Sequence, residues 1–356
     1  MTINSEPPSS IAGIIKSSWR TLSKGLKILL IEHRLPDKLL YTFIKLRERW
    51  VIWKLKLCSV TIRKRIRNIG IIRPLKQVGD ILMLCPMAMS LKKIFPRARI
   101  TLLCLDIPLI IDVAKRIPSF DFVIPNENNL NIYAIKEKYK ASFDFILSPS
   151  YGDRTYDKKW KQDRSFISLL YLSIGVTPPT HYQFEYMLKD NELAFANQYK
   201  DKFGNYLIFH TDCGPFTDKR NWIDSNWQKL IDLQKIPVIL IGTSGSEFQH
   251  CVDLRNKTTI HETAALIKYC RLYVGIDSGP FWFTHHFNKD AVIINGGFGP
   301  PILTKHSRSH HIFSDIECSP CLDPFGKCKY DMRCMRMITP DMVNQKIQEV
   351  LFSNTA

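Results

Sequence analysis

The 356-residue sequence predicts an α/β protein of two Rossmann-like domains facing each other across a cleft, with a basic helical extension in front. Three observations carry this. Short β-branched apolar runs alternate with helix-length segments from residue 69 onward. The rhythm occurs as two series separated by a Pro-rich stretch, and several of the runs end in Gly/Asp/Ser turns that open helices. Apolar runs of this kind mark parallel strands buried beneath helices. The chain is long enough for two separate cores.

The first series begins with IGIIRP (69–74) and a helix from Asp80 to about Phe95. ARITLLCL (98–105), a helix near 107–116, FDFVIP (120–125), a helix near 130–139 and FDFILSPS (143–150) follow. GVTPPTHYQFE (175–185) reads as a domain crossing. The second series runs YLIFHT (206–211), a helix over 224–234, PVILIG (237–242), a helix over 261–270, RLYVGID (271–277), a helix from Pro280 and AVIING (291–296). The expected boundaries are 1–66 for the extension, 67–185 and 186–338 for the two domains, and 339–356 for a terminal helix. Two such halves place a ligand cleft between the carboxyl ends of their sheets.

The net charge is +17, and residues 1–70 hold 15 Lys/Arg against 4 Asp/Glu, a local +11 that leaves +6 for the rest. In KLLYTFIKLRERWVIWKLKL, tryptophans and leucines interleave with lysines and arginines. Such a segment suits an anionic membrane surface; packing on its own protein or a second subunit explains it equally well. The mildly basic body argues against a nucleic-acid partner, and RKRIR (63–67) alone is a solvated basic run. Lys and Arg interrupt every apolar stretch before it reaches membrane-spanning length. No secretory signal is recognisable at the N-terminus. Ten cysteines without one point to a reducing, cytoplasmic compartment.

Three turns carry chemistry. In Arg73-Pro74-Leu75-Lys76-Gln77-Val78-Gly79-Asp80 the aspartate stands at a strand-to-helix turn, where it either caps the helix or faces the cleft as an acid/base group. A dinucleotide fingerprint G-x-G-x-x-G is missing there, which weakens a nicotinamide-cofactor reading. His210-Thr211-Asp212-Cys213-Gly214-Pro215 leads to Lys219 and Arg220, paired cations suited to a diphosphate unless they simply face water. Asp277-Ser278-Gly279-Pro280 offers backbone amides at a turn of the kind that receives phosphate.

The order of these pieces resembles the heptosyltransferases of glycosyltransferase family 9, which have the two-domain GT-B fold. The likeness runs from about Arg67 to about Leu351. It rests on RNIGIIRPLKQVGDILMLCPMAMSLKKIFPRARITLLC, HTDCGPFTDKRNW, SNWQKLIDLQKIPVILIG, AALIKYCRLYVGIDSGP, and the cysteine-rich segment with ITPDMVNQKIQEVL. The resemblance implies an inverting, metal-independent glycosyltransferase. It would move heptose or a related sugar from a nucleotide-sugar donor, ADP-heptose in the family, onto a lipopolysaccharide core or similar glycan or lipid-linked acceptor. It implies Asp80 as general base and Lys219 as the cation on the departing diphosphate. Asp277, Ser278, Gly279, Thr211 and Arg220 are implied on the donor, with Glu247 near its ribose. Arg73, Lys76 and Arg154 fall on the acceptor side, making 67–185 the acceptor domain and 186–338 the donor domain. Such an enzyme works on the inner membrane face as a peripheral protein.

One position departs from the family pattern: after DSGP, Trp282 stands where the family has His. That opens two other readings, a changed donor or acceptor (a protein or capsule precursor) and a non-catalytic nucleotide-sugar-binding assembly subunit. Catalysis itself requires no cofactor on this reading. Cys318-x2-Cys321-x6-Cys328-x5-Cys334 gathers four thiols in 17 residues, which suits a structural zinc or iron; reduced loop cysteines are the alternative.

Overall fold

The computed structural model describes residues 46, 49, 65–127, 131–151, 164–213, 218–321 and 328–353. The basic extension up to residue 64, apart from Leu46 and Arg49, and Arg154 therefore lie outside the described residues. So does the expectation of membrane contact through 1–66. No helix among the described residues is long and apolar enough to cross a membrane.

Two all-parallel sheets organise the chain. The first contains β1 (Asn68–Arg73), β2 (Arg99–Leu105), β3 (Phe122–Asn126) and β4 (Phe145–Leu147), in the order β3-β2-β1-β4. The second contains β5 (Leu207–His210), β6 (Val238–Ile241), β7 (Val252–Asp253), β8 (Leu272–Ile276), β9 (Ala291–Asn295) and β10 (Ser309–Phe313), in the order β10-β9-β8-β5-β6-β7. Each sheet starts in its middle, winds outward one way, then returns to wind the other, the doubly wound arrangement. The reversal falls between β1 and β4 in the first sheet and between β5 and β8 in the second.

The central strands are apolar because both faces are covered. The apolar runs IGII in β1, VILI in β6 and AVII in β9 are fully buried, which is worth roughly 25 cal/mol per Å² of apolar surface taken from water. The expected helix from Asp80 to Phe95 is two helices, α1 (Val78–Leu82) and α2 (Cys85–Ile94), with the break at Met83–Leu84 and Pro86 in the first turn of α2. Proline is tolerated there because the first N–H groups of a helix have no intrahelical partner. The helices α3 (Pro108–Lys115) and α4 (Ile132–Tyr139) complete the first series; Asn131 starts α4 by accepting from the Ala134 amide.

Helices α5 (Phe166–Ser173) and α6 (Asp190–Phe203), the two-residue β7 and the edge strand β10 were not anticipated. The second half then places α7 (Asp224–Asp232), α8 (Ile260–Tyr269), α9 (Trp282–His286), α10 (Arg333–Arg336) and α11 (Pro340–Ser353) around its sheet. A Thr259/Glu262 capping box opens α8. The helix expected from Pro280 begins at Trp282, after turns in which Trp282 and Phe283 bond back three residues, to Gly279 and Pro280.

The halves are joined by the crossing segment and α9. Phe184 packs on His285 and His286, and Tyr186 packs edge-on against Phe283 with ring centroids 4.9 Å apart. His286 bridges the domains: Nδ1 lies 3.1 Å from the Glu185 carbonyl and Nε2 lies 3.3 Å from the Leu82 carbonyl at the end of α1. Further out, His261 on α8 reaches Asp112 on α3 at 2.6 Å and Tyr186 at 2.8 Å.

Burial drives the His286 pKa down to about 4, against the opposing pull of the two carbonyls. The folded chain thus holds a neutral ring while the unfolded chain protonates near its ordinary value of about 6.5. A depressed folded value gives stability that is present above pH ~6.5 and lost as the pH falls toward 4. Urea midpoints should therefore drop across that window, and His286→Asn should show a shallower drop; an identical slope in the variant removes this assignment.

Candidate active site

The two reversals meet across the cleft, and most expected site residues lie at them. Arg73 ends β1, Tyr151 follows β4, and Asp80 sits in α1 directly between them. Asp80 is only 8% exposed and Arg73 only 3%. Arg73 Nη2 donates to Asp80 Oδ1 at 2.5 Å, and its Nη1 donates to the Pro149 carbonyl at 2.9 Å. Tyr151 donates its hydroxyl proton to the same Oδ1, and its ring lies 4.5 Å beneath the Arg73 guanidinium. Burial, reinforced by the neighbouring Asp80 charge and opposed by Arg73, holds the Tyr151 hydroxyl well above its usual pKa. It remains a donor throughout the physiological range.

Arg73, expected on the acceptor side, is thus buried behind the carboxylate. Lys76 is exposed in the turn leading to Asp80. Tyr151 was missed. The available signal was positional, since it is the fourth residue past the strand that neighbours β1.

On the facing side, β5, β6, β8 and β9 deliver their carboxyl ends to one place. His210 closes β5, and its Nδ1 pairs with the Ser278 hydroxyl at 2.8 Å, tying the turn after β8 to the end of β5. Burial lowers the His210 pKa to about 4, with Asp212 partly compensating, so this link is made by a neutral imidazole. Asp212 accepts the Thr243 and Ser244 amides at 3.1 and 3.0 Å and so fixes the loop after β6. That loop needs Gly242, whose φ is +125° and where a Cβ would stand 2.7 Å from Asp212 Oδ2. Arg255 holds the loop from outside through the Ser244 and Ser246 carbonyls. Thr211 is buried beside the loop, with its hydroxyl 3.5 Å from the Cβ position of Gly245. Glu247 is exposed on it.

Lys219 and Arg220 lie in a short 3-10 turn, Asp218–Arg220, and Lys219 is 5% exposed. Arg220 stacks over Phe298 at 4.4 Å and donates to the Asp277 carbonyl at 2.9 Å, with the Asp277 carboxylate at 3.4 Å. Arg220 and Asp277, with Asn295, Gly296, Phe298 and Gly299, line a small pocket open to solvent. The NGGFG run that supplies its floor was not singled out in the sequence. A Gly-rich stretch at the end of an apolar run was the available sign.

The two sides touch. A Cβ on Gly279 would lie 3.7 Å from Val78 Cβ and 3.9 Å from the Gly79 amide. A Cβ on Gly79 would strike the Trp282 indole at 2.7 Å. Trp282 is backed by His285 in a stacked arrangement, centroids 4.5 Å apart. The 277–282 segment therefore abuts the residue next to Asp80, with Trp282 packed against Gly79.

Two of the four loop cysteines meet Gly297, Cys334 through its thiol and Cys321 through its backbone. The Gly297 amide donates to Cys334 Sγ at 3.0 Å, and the Cys321 amide donates to the Gly297 carbonyl. The Cys334 thiol is pushed up by burial, with the nearby Cys318 and Cys328 thiols adding to the shift. As soft donors the thiols match zinc or iron. Among the described residues, however, no three His, Cys, Asp or Glu side chains stand close enough together to hold an ion.

The Gly79–Trp282 contact yields a double-mutant test. Gly79→Ala should lower the unfolding midpoint, and Gly79→Ala with Trp282→Ala should lower it by less than the sum of the single changes. Additive costs would mean that the contact does not hold the halves together.

No protein-family model matches the chain. It is similar to lipooligosaccharide heptosyltransferase 2 of Campylobacter jejuni subsp. jejuni serotype O:2, at 22% identity over 316 residues, covering 77% of this chain and 95% of the relative. Its fold is that of a glycosyl transferase family 9 protein from Veillonella parvula (TM-score 0.63, 13% identity, 81% of this chain and 98% of the other). It is also that of TibC, a dodecameric iron-containing heptosyltransferase solved with ADP-D-β-D-heptose (TM-score 0.58, 16% identity, 82% and 77%). Two parallel α/β domains meeting at their strand ends give the chain the GT-B fold of these glycosyltransferases, and its sequence is similar to the Campylobacter heptosyltransferase over most of both chains.

Proposed function

We propose that the chain transfers heptose, or a closely related sugar, from ADP-heptose to a lipopolysaccharide core or similar glycan, with inversion at the anomeric carbon. The observation that carries this reading is the abutment of the Asp80 turn on the Gly279 turn. It brings the turn that carries Asp80 against the segment that follows Asp277, one of the residues lining the pocket. Tyr151 and Arg73 keep that carboxylate in a polar, proton-donating setting although it is buried.

In the proposed step Asp80 takes the proton of an acceptor hydroxyl, and the oxygen attacks the anomeric carbon from the face opposite the diphosphate. The bond from that carbon to the diphosphate oxygen breaks, and its electron pair stays on the departing ADP. Lys219 and Arg220 supply positive charge to that leaving group, which is worth most in a site shielded from water. The amides of Ser278 and Gly279 are placed for the diphosphate or sugar, with Ser278 fixed by His210. Thr211 and Glu247 are assigned to the ribose side of the donor. Trp282, where the resemblance expects His, gives the sugar a flat apolar neighbour with one N–H donor.

The test is transfer from ADP-heptose to a heptose-deficient core oligosaccharide. Asp80→Asn should lower kcat by about 10²–10⁴-fold, the usual worth of a placed general base, while ADP still binds. Intact ADP-heptose after incubation with wild-type protein and core acceptor would refute the reading.

We further assign Cys318, Cys321, Cys328 and Cys334 to a structural zinc or iron that takes no part in transfer. This reading is supported by four soft donors within 17 residues of sequence and by the iron of TibC. Elemental analysis should find one metal per chain, with Cys334→Ser losing it and Asp80→Asn retaining it. Metal-free wild type rejects the assignment.

A further inference from the structure

We propose that Tyr151, together with Arg73, is a positioning residue for Asp80: both bind Oδ1, and this presents Oδ2 as the atom that takes the acceptor proton. The inference rests on the transferase reading for the role of Oδ2, and on geometry alone for the hold on Oδ1.

The carboxylate makes two contacts, and both fall on the same oxygen. The donors arrive from different strands, Arg73 from the end of β1 and Tyr151 from beyond β4, so the carboxylate cannot rotate without breaking one of them. Neither donor is free to drift. The Arg73 fork is also tied to the Pro149 carbonyl, and the Tyr151 ring is wedged between the Arg73 guanidinium at 4.5 Å and Phe166 at 4.6 Å. Two donors on one oxygen draw negative charge toward it. The second oxygen, unpartnered among the described residues, then has a fixed direction in space. A proton acceptor acts in the transition state only when its lone pair is aimed at the proton to be removed. The partners of this carboxylate are Arg73 on β1 and Tyr151 beyond β4, whose hydroxyl also lies near Met83 Sδ, while Trp282 of the facing domain packs on the neighbouring Gly79.

Tyr151→Phe is the informative variant, because the ring keeps its packing on Arg73 and Phe166 while the donor is lost. Removing Arg73 outright would strand a buried charge and threaten folding, so Arg73→Lys serves as the second variant; it keeps the charge and loses the fork. With ADP-heptose and core oligosaccharide, Tyr151→Phe should lower kcat by about 10- to 100-fold, the range for a hydrogen bond to a charged group. KM for both substrates should stay within about twofold, as expected when ground-state binding is untouched. Arg73→Lys should split kcat from KM in the same direction.

Independently of turnover, proton NMR of the wild type should show a slowly exchanging downfield hydroxyl resonance that vanishes in both Tyr151→Phe and Asp80→Asn. Unchanged kcat in Tyr151→Phe, a loss confined to KM, or the absence of that resonance from the wild type overturns the proposal. A wild type that shows the resonance yet transfers no sugar overturns the transferase reading and keeps the hold on Oδ1.

Discussion

Everything at this site depends on one constraint, the packing of two sheet reversals against each other. A parallel sheet that winds outward from its middle leaves a gap at the carboxyl ends of its two central strands, because the connections on either side depart in opposite directions. Here both gaps face inward. β1 and β4 present Arg73, Asp80 and Tyr151; β5 and β8 present His210, Asp212, Ser278 and Gly279. How closely the two gaps approach is set at Gly79, where a Cβ would strike the Trp282 indole of the facing half.

The balance of charge across the gap follows the same division. The first half offers an anion, shielded by a guanidinium and a phenol. The second half offers cations, of which Arg220 is paired with Asp277 and spread over the Phe298 ring. Buried ion pairs of this sort contribute little net stability, since desolvation offsets most of their attraction. Their value lies in fixing geometry, which is what a pairwise contact such as Arg73–Asp80 does.

Much of this was legible in the sequence, because the turns that carry Asp80, Lys219 and Ser278–Gly279 are local and each follows an apolar strand. Strand positions were read to within a few residues for the same reason. What escaped was non-local. Tyr151 meets Asp80 across 71 residues and His286 meets Leu82 across 204, and no local pattern announces such pairs. The edge strand β10, SHHIF, escaped because its two histidines interrupt the apolar run; they are accommodated through hydrogen bonds such as His311 to Asn295. The single long helix expected after β1 proved to be two because Pro86 can open a helix but cannot continue one.

The short helix α1 is gripped at both ends by the opposite half. The indole of Trp282 presses on Gly79 near its beginning, and His286 reaches the Leu82 carbonyl at its end. Asp80 lies between these two grips. The position of the carboxylate is thereby tied to how the two halves pack, through a helix of five residues held at both ends from outside its own domain.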